Sequence, residues 1–147
     1  MKGFTLIELL IVMAILGILG GIGFFGILNY KTNQTIDSTI QEIVSVLRNA
    51  QNRSMSQESG SRWGVHFENP AGSSGFYDLF KGASYSAQGV VNHTALPLGV
   101  QFNVPSSGAS STIIFSPISG LPLNSITVKI SITSKPTASS TIIVNQS

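Results

Sequence analysis

The feature that most constrains this chain is LLIVMAILGILGGIGFFGIL, a run from Leu9 to Leu28 in which no charged residue occurs. In helical form about twenty residues span about 30 Å, close to the hydrocarbon thickness of a bilayer. A cleaved secretory signal fits less well, because its apolar core runs about 7–15 residues and ends at a small-x-small site. Here Asn29, Tyr30 and Lys31 lead straight into a different pattern, so the run reads as a retained membrane helix. Lys2 and the terminal amine flank its short side. The positive-inside rule therefore places that end in the cytoplasm and the polar remainder outside it.

Beyond Lys31 the apolar residues thin to a stripe: Ile36, Ile40, Ile43, Val44, Leu47 and Ala50 recur at steps of three and four. Asp37, Gln41, Glu42, Arg48 and Gln51 fill the other faces, which is the signature of a helix with one buried side. No proline interrupts this part, and Gly60 is the first strong breaker. One nearly continuous helix is expected from about Phe4 to about Gln57, its first half suited to lipid and its second half to a domain that packs on it.

After Gly60 the period changes from 3.6 to 2. RWGVHF, GFYDLF, GVQFNV, STIIF, SITVKISIT and STIIV read as strands, separated by the turn-forming stretches NPAGSSG, PSSGASS, SPISGLP and SKPTASS. In the cleanest of them Ile126, Val128, Ile130 and Ile132 oppose Thr127, Lys129, Ser131 and Thr133. One apolar face per strand implies an antiparallel sheet laid over the helix, an α+β arrangement. Trp63, Phe67, Tyr77, Phe80, Phe102 and Phe115 are expected to fill the core between sheet and helix.

Chemistry-bearing constellations are sparse. Eight basic and six acidic residues leave a net charge of +2 with no basic block, so nucleic acid is not an expected partner. There is no cysteine, which removes disulfides and thiolate metal sites. His66, on the polar side of its strand, and His93, in the loop VVNHTAL, lack a second ligand at metal spacing and read as ordinary surface histidines. No G-x-S-x-G elbow accompanies the many serines. No cofactor and no catalytic residue are expected.

The start of the chain is more specific. Lys2-Gly3-Phe4-Thr5-Leu6-Ile7-Glu8, followed by the apolar run, resembles the processing site of type IV pilins and type II secretion pseudopilins. The segments IVSVLRNAQNRSMSQ, WGVHF, YDLF, IIFSPISGLP and IIVNQS resemble the minor-pilin group called GspH/FimT-like. The resemblance implies a pilin-like fold with a leader at 1–3, a transmembrane and filament-core helix at 4–30, and a globular domain at 31–147 whose helix runs to about residue 58. It implies that a prepilin peptidase cuts between Gly3 and Phe4 and methylates Phe4. Other pilin or pseudopilin subunits, an inner-membrane assembly platform and, before assembly, membrane lipid would be the partners. The product would be a single-pass membrane protein and then a periplasmic or extracellular filament subunit. Two departures, the lack of cysteine and the lack of any acidic residue after Asp78, set the chain apart from the disulfide-closed major pilins and the calcium-binding major pseudopilins.

Glu8 is the residue that this resemblance explains. A carboxylate in hydrocarbon costs at least about 2.5 kcal/mol, so it needs a cation or an interfacial position. The resemblance implies that Glu8 of an entering subunit pairs with the new ammonium on Phe4 of its neighbour, an arrangement that would set register because a slipped subunit leaves both charges unpaired. Gly17, Gly20, Gly21, Gly23 and Gly26 soften the second half of the run. They serve either close helix packing, for which Gly17 and Gly21 have the spacing, or partial unwinding on assembly. Two other readings stay open: a competence-type minor pilin that helps to catch DNA, and a plain signal-anchored surface domain. The segment after Lys135 has neither Lys nor Arg, which counts against the first of these.

Overall fold

A computed structural model describes residues 5–146, with side chains for all of them except 22–33. Contacts divide the chain into two compact units, Met1–Thr35 and Ile36–Ser147. One helix, α1 (Leu6–Met55), contributes to both.

In the first unit every residue from 5 to 21 is exposed, including Leu6, Ile7, Leu9, Leu10 and Ile11. Nothing lies within 4 Å of where a Cβ would stand on Gly17, Gly20 or Gly21, so the small-residue face is open. Gly23 and Gly26 lie outside the described side chains. Among the described residues no helix is long and apolar enough to cross a membrane. The expected span Leu9–Leu28 runs into residues 22–33, whose side chains are outside that description.

In the second unit the stripe does what its spacing predicts. Ile36, Ile43, Leu47 and Ala50 are buried, with Ile40 and Val44 packed partly against them. Each large side chain so buried contributes about 1.5–3 kcal/mol. Beyond Met55 the chain turns out of the helix through Gln57, Ser59 and Gly60, all at positive φ.

Seven strands follow: β1 (Trp63–Asn69), β2 (Phe76–Lys81), β3 (Val90–Ala95), β4 (Val100–Val104), β5 (Ala109–Phe115), β6 (Ile126–Ile132) and β7 (Lys135–Val144). They form two antiparallel sheets rather than the single one expected, ordered β3-β2-β1-β5 and β4-β6-β7. The two sheets share one core. Phe67 of β1 meets Phe102 of β4 edge-on at 6.1 Å, and Asn69 donates from Nδ2 to the carbonyls of Phe102 (3.2 Å) and Pro105 (2.9 Å).

Two elements depart from the sequence reading. VVNHTA, expected as loop, is β3, an edge strand that is largely exposed and so carries no apolar alternation to betray it. KPTASS, expected as turn, is the first part of β7. Pro136 is tolerated there because β7 is also an edge, where a missing N–H breaks no ladder. Of the aromatic core, Trp63, Phe67, Tyr77, Phe102 and Phe115 join the main cluster, but Phe80 does not. It is fully buried on the other face of the four-stranded sheet, where a Cβ on Gly64 would come within 2.8 Å of its ring.

The end of α1 is tied to the sheet by polar contacts. Ser54 Oγ, fully buried, donates to the carbonyl of Phe115 at 2.7 Å, and Gln51 Nε2 donates to that of Gly120 at 2.9 Å. These bonds hold the β5–β6 connection, in which Ile118 stands at φ +66° with its side chain 72% exposed.

Candidate functional site

The helix start is built by its own sequence. Thr5 immediately precedes α1, and its hydroxyl accepts from the Glu8 N–H at 3.4 Å. In return the Glu8 carboxylate accepts from the Thr5 N–H and hydroxyl, both at 3.5 Å. This reciprocal pairing is a capping box, which satisfies backbone donors that the first helical turn leaves free. The Thr-x-x-Glu spacing announces it, yet Glu8 was read above only through its charge. The box directs the carboxylate back toward the N-terminal end. An acid in the first turn also suits the positive end of the helix dipole. Among the described residues Glu8 makes no ion pair. Gly3 and Phe4, the expected cleavage pair, lie outside the described residues.

A second polar assembly lies on the outer face of the four-stranded sheet, and sequence reasoning missed it. Strand register places Thr112, His66, Asp78 and His93 in one row across β5, β1, β2 and β3. The Asp78 carboxylate is 2% exposed and sits at the centre. His93 donates from Nδ1 to its Oδ1 at 2.6 Å, and the Tyr85 hydroxyl donates to its Oδ2 at 2.6 Å. The Tyr85 ring lies flat on His66, 3.7 Å between centroids and 11° from parallel. His66 is thus a buried group, not the surface histidine expected. Its strand neighbour Glu68 lies 3.5 Å from Nε2, and Thr112 Oγ1 lies 2.6 Å from Nδ1. Burial lowers the His66 pKa from its ordinary 6.5, against the opposing pull of Glu68 and Asp78. Burial, then the Asp78 hydrogen bond and charge, pushes Tyr85 up to about 12. His93 does fit the surface reading in exposure, with a side chain 58% open, though it belongs to a strand and is partnered. Among the described residues no group of three or more His, Asp or Glu could hold a metal ion.

Residues 6–21 of α1 are exposed on every side. Residues 1–24 match the model of the prokaryotic N-terminal methylation motif. No curated protein and no solved structure matches the chain. The motif is a type IV pilin-like prepilin signal. It indicates processing by a prepilin peptidase, assembly with other pilin subunits, and a structural role rather than an enzymatic one.

Proposed function

We propose that the chain is a minor pilin or type II secretion pseudopilin of the GspH/FimT-like group. A prepilin peptidase cuts it between Gly3 and Phe4 and methylates Phe4. It rests in the cytoplasmic membrane through residues 4–30, with the domain 31–147 outside the cytoplasm, until an inner-membrane platform moves it into a filament. The match of residues 1–24 to the methylation motif carries this reading. The unbroken exposure of residues 5–21 supports it, since such a surface persists only in lipid or against other subunits.

Glu8 serves registry in this proposal. Its capping contacts, at 3.4–3.5 Å, are long for hydrogen bonds, and among the described residues its charge has no counter-ion. Cleavage after Gly3 creates an ammonium on Phe4, and the corresponding group of an adjoining subunit neutralises Glu8 in the correctly staggered position alone.

Co-expression with a prepilin peptidase, followed by mass analysis of the N terminus, tests the processing step. The expected product starts at methylated Phe4; retention of Met1 beside an active peptidase overturns the proposal. Glu8→Ala tests registry separately. It should insert and be cut normally but enter filaments poorly, and normal incorporation would remove the registry role.

A further inference from the structure

The connection between β2 and β3, residues 82–89, is the least expected part of the second unit. It folds back over the outer face of the four-stranded sheet and brings Tyr85 down onto three groups at once. The ring stacks on His66, meets Phe80 edge-on at 5.4 Å and 81°, and its hydroxyl reaches Asp78. The connection starts and ends at glycines. Gly82 has φ +142° and donates its N–H to the Arg62 carbonyl at 2.8 Å, and Gly89 packs so tightly that a Cβ there would strike the carbonyl oxygen of Lys81. The segment is therefore anchored at both ends and held in its middle chiefly by one tyrosine.

We propose that residues 82–89 form an acid-released flap, latched by the Tyr85–Asp78 hydrogen bond above a neutral His66. The titratable groups facing His66 are Glu68 on its own strand, Asp78 opposite it on β2, Tyr85 above it and, across Asp78, His93 on β3. With the proton of neutral His66 on Nε2, toward Glu68, Nδ1 accepts from the Thr112 hydroxyl and every polar atom is matched. Adding a second proton places a positive charge in a site only 6% exposed, and the cost is that of holding a cation away from water. Asp78 opposes that cost through its charge, but both of its oxygens already accept short bonds, one from His93 and one from Tyr85. Glu68 is the remaining counter-charge, and at 3.5 Å, with its side chain 39% exposed, it is half in solvent.

The direction of the pH effect follows. The lowering of the His66 pKa belongs to the closed flap, and lifting Tyr85 uncovers one face of the ring to water and moves it back toward its ordinary 6.5. The open form then binds the proton better than the closed one. Closure is at full strength above that value and weakens as pH falls below it, toward the lowered value of the closed state. One pH unit below the ordinary value, linkage to a single histidine favours opening by up to about tenfold.

The test is amide hydrogen exchange on the full chain in detergent micelles, corrected for intrinsic rates, between about pH 7.5 and about pH 5.5. Opening of residues 82–89 should rise by up to about tenfold over that range while β6 stays unchanged. No acid dependence in 82–89, or a parallel rise in β6 showing global unfolding, would overturn the flap. In His66→Gln the acid dependence should vanish, and its survival there would likewise overturn it. His93→Gln, at an exposed position that folding tolerates, is the second variant. It frees one Asp78 oxygen for a charged His66, so the acid response should shrink, and an unchanged response counts against the shared-carboxylate latch.

Discussion

From residue 6 to residue 21 of α1 every side chain is exposed, whereas between Ile36 and Met55 the same residue types are buried along a single stripe. Isoleucine illustrates the contrast. Ile15 and Ile18 are 51% and 64% exposed, and Ile43 is 0% exposed. The difference lies in pattern rather than in apolarity. A continuous apolar surface has no preferred side, so one sheet cannot satisfy it and it needs an apolar medium or several like helices. A stripe has one preferred side, and a single core meets it completely.

Truncation should break the symmetry between these isoleucines most clearly. Ile43→Ala should cost about 2–5 kcal/mol in denaturant unfolding of the chain in detergent, through lost transfer energy and the cavity left behind. Ile15→Ala should change the same transition by less than about 0.5 kcal/mol, as expected of an exposed site. Equal losses would mean that the first stretch of α1 shares the core of the second unit.

Ser54→Ala sharpens the comparison on the polar side. It leaves the buried Phe115 carbonyl without its side-chain donor, and thermal or denaturant melts should register a loss of about 1–3 kcal/mol. The corresponding polar contact in the first unit, the Thr5–Glu8 box, is exposed and local. Thr5→Val should cost about 1 kcal/mol of helix stability at that end, visible as faster amide exchange at the first turn. The melting of the second unit should stay where it is.

Ile118→Gly gives a small effect of the opposite sign. A β-branched residue at φ +66° is strained, and its exposed side chain contributes little burial to lose, much like the isoleucines of the first stretch. Relief of that strain, less the added freedom of glycine in the unfolded chain, should raise stability by about 0.5–1 kcal/mol in the same melts. A loss instead would mean that the Ile118 side chain carries packing its exposure conceals.

Much of the fold was legible because it follows from local periodicity. Ile36 to Ala50 declared a helical face, and Ile126 to Ile132 declared a strand in which Ile126, Val128, Ile130 and Ile132 are buried as expected, although Ser131, expected on the polar face, is buried with them. The failures are edge strands. β3 presents Val91, Asn92 and His93 to solvent, and β7 opens with Lys135, Pro136 and Thr137 exposed, so neither shows the alternation that burial imposes on one face of a strand. For the same reason the division into two sheets was invisible: partner choice among similar apolar strands depends on connections and register, not on composition.

The two polar sites divide in the same way. Thr5 and Glu8 are three residues apart, so the chemistry that joins them belongs to one helical turn and can be read from the chain alone. His66, Asp78 and His93 stand far apart in sequence, and each looked ordinary beside its own neighbours. Only strand register sets them in a row, and only the return of residues 82–89 covers them with Tyr85. The sequence by itself determined the apolar stem, the capped helix start, the methylation motif and the identity of most core residues, because each rests on contacts or spacing within a few turns. Tertiary structure alone decided which histidine is buried and which acid both Tyr85 and His93 share, because those properties arise from the pairing of distant strands and the desolvation that pairing brings.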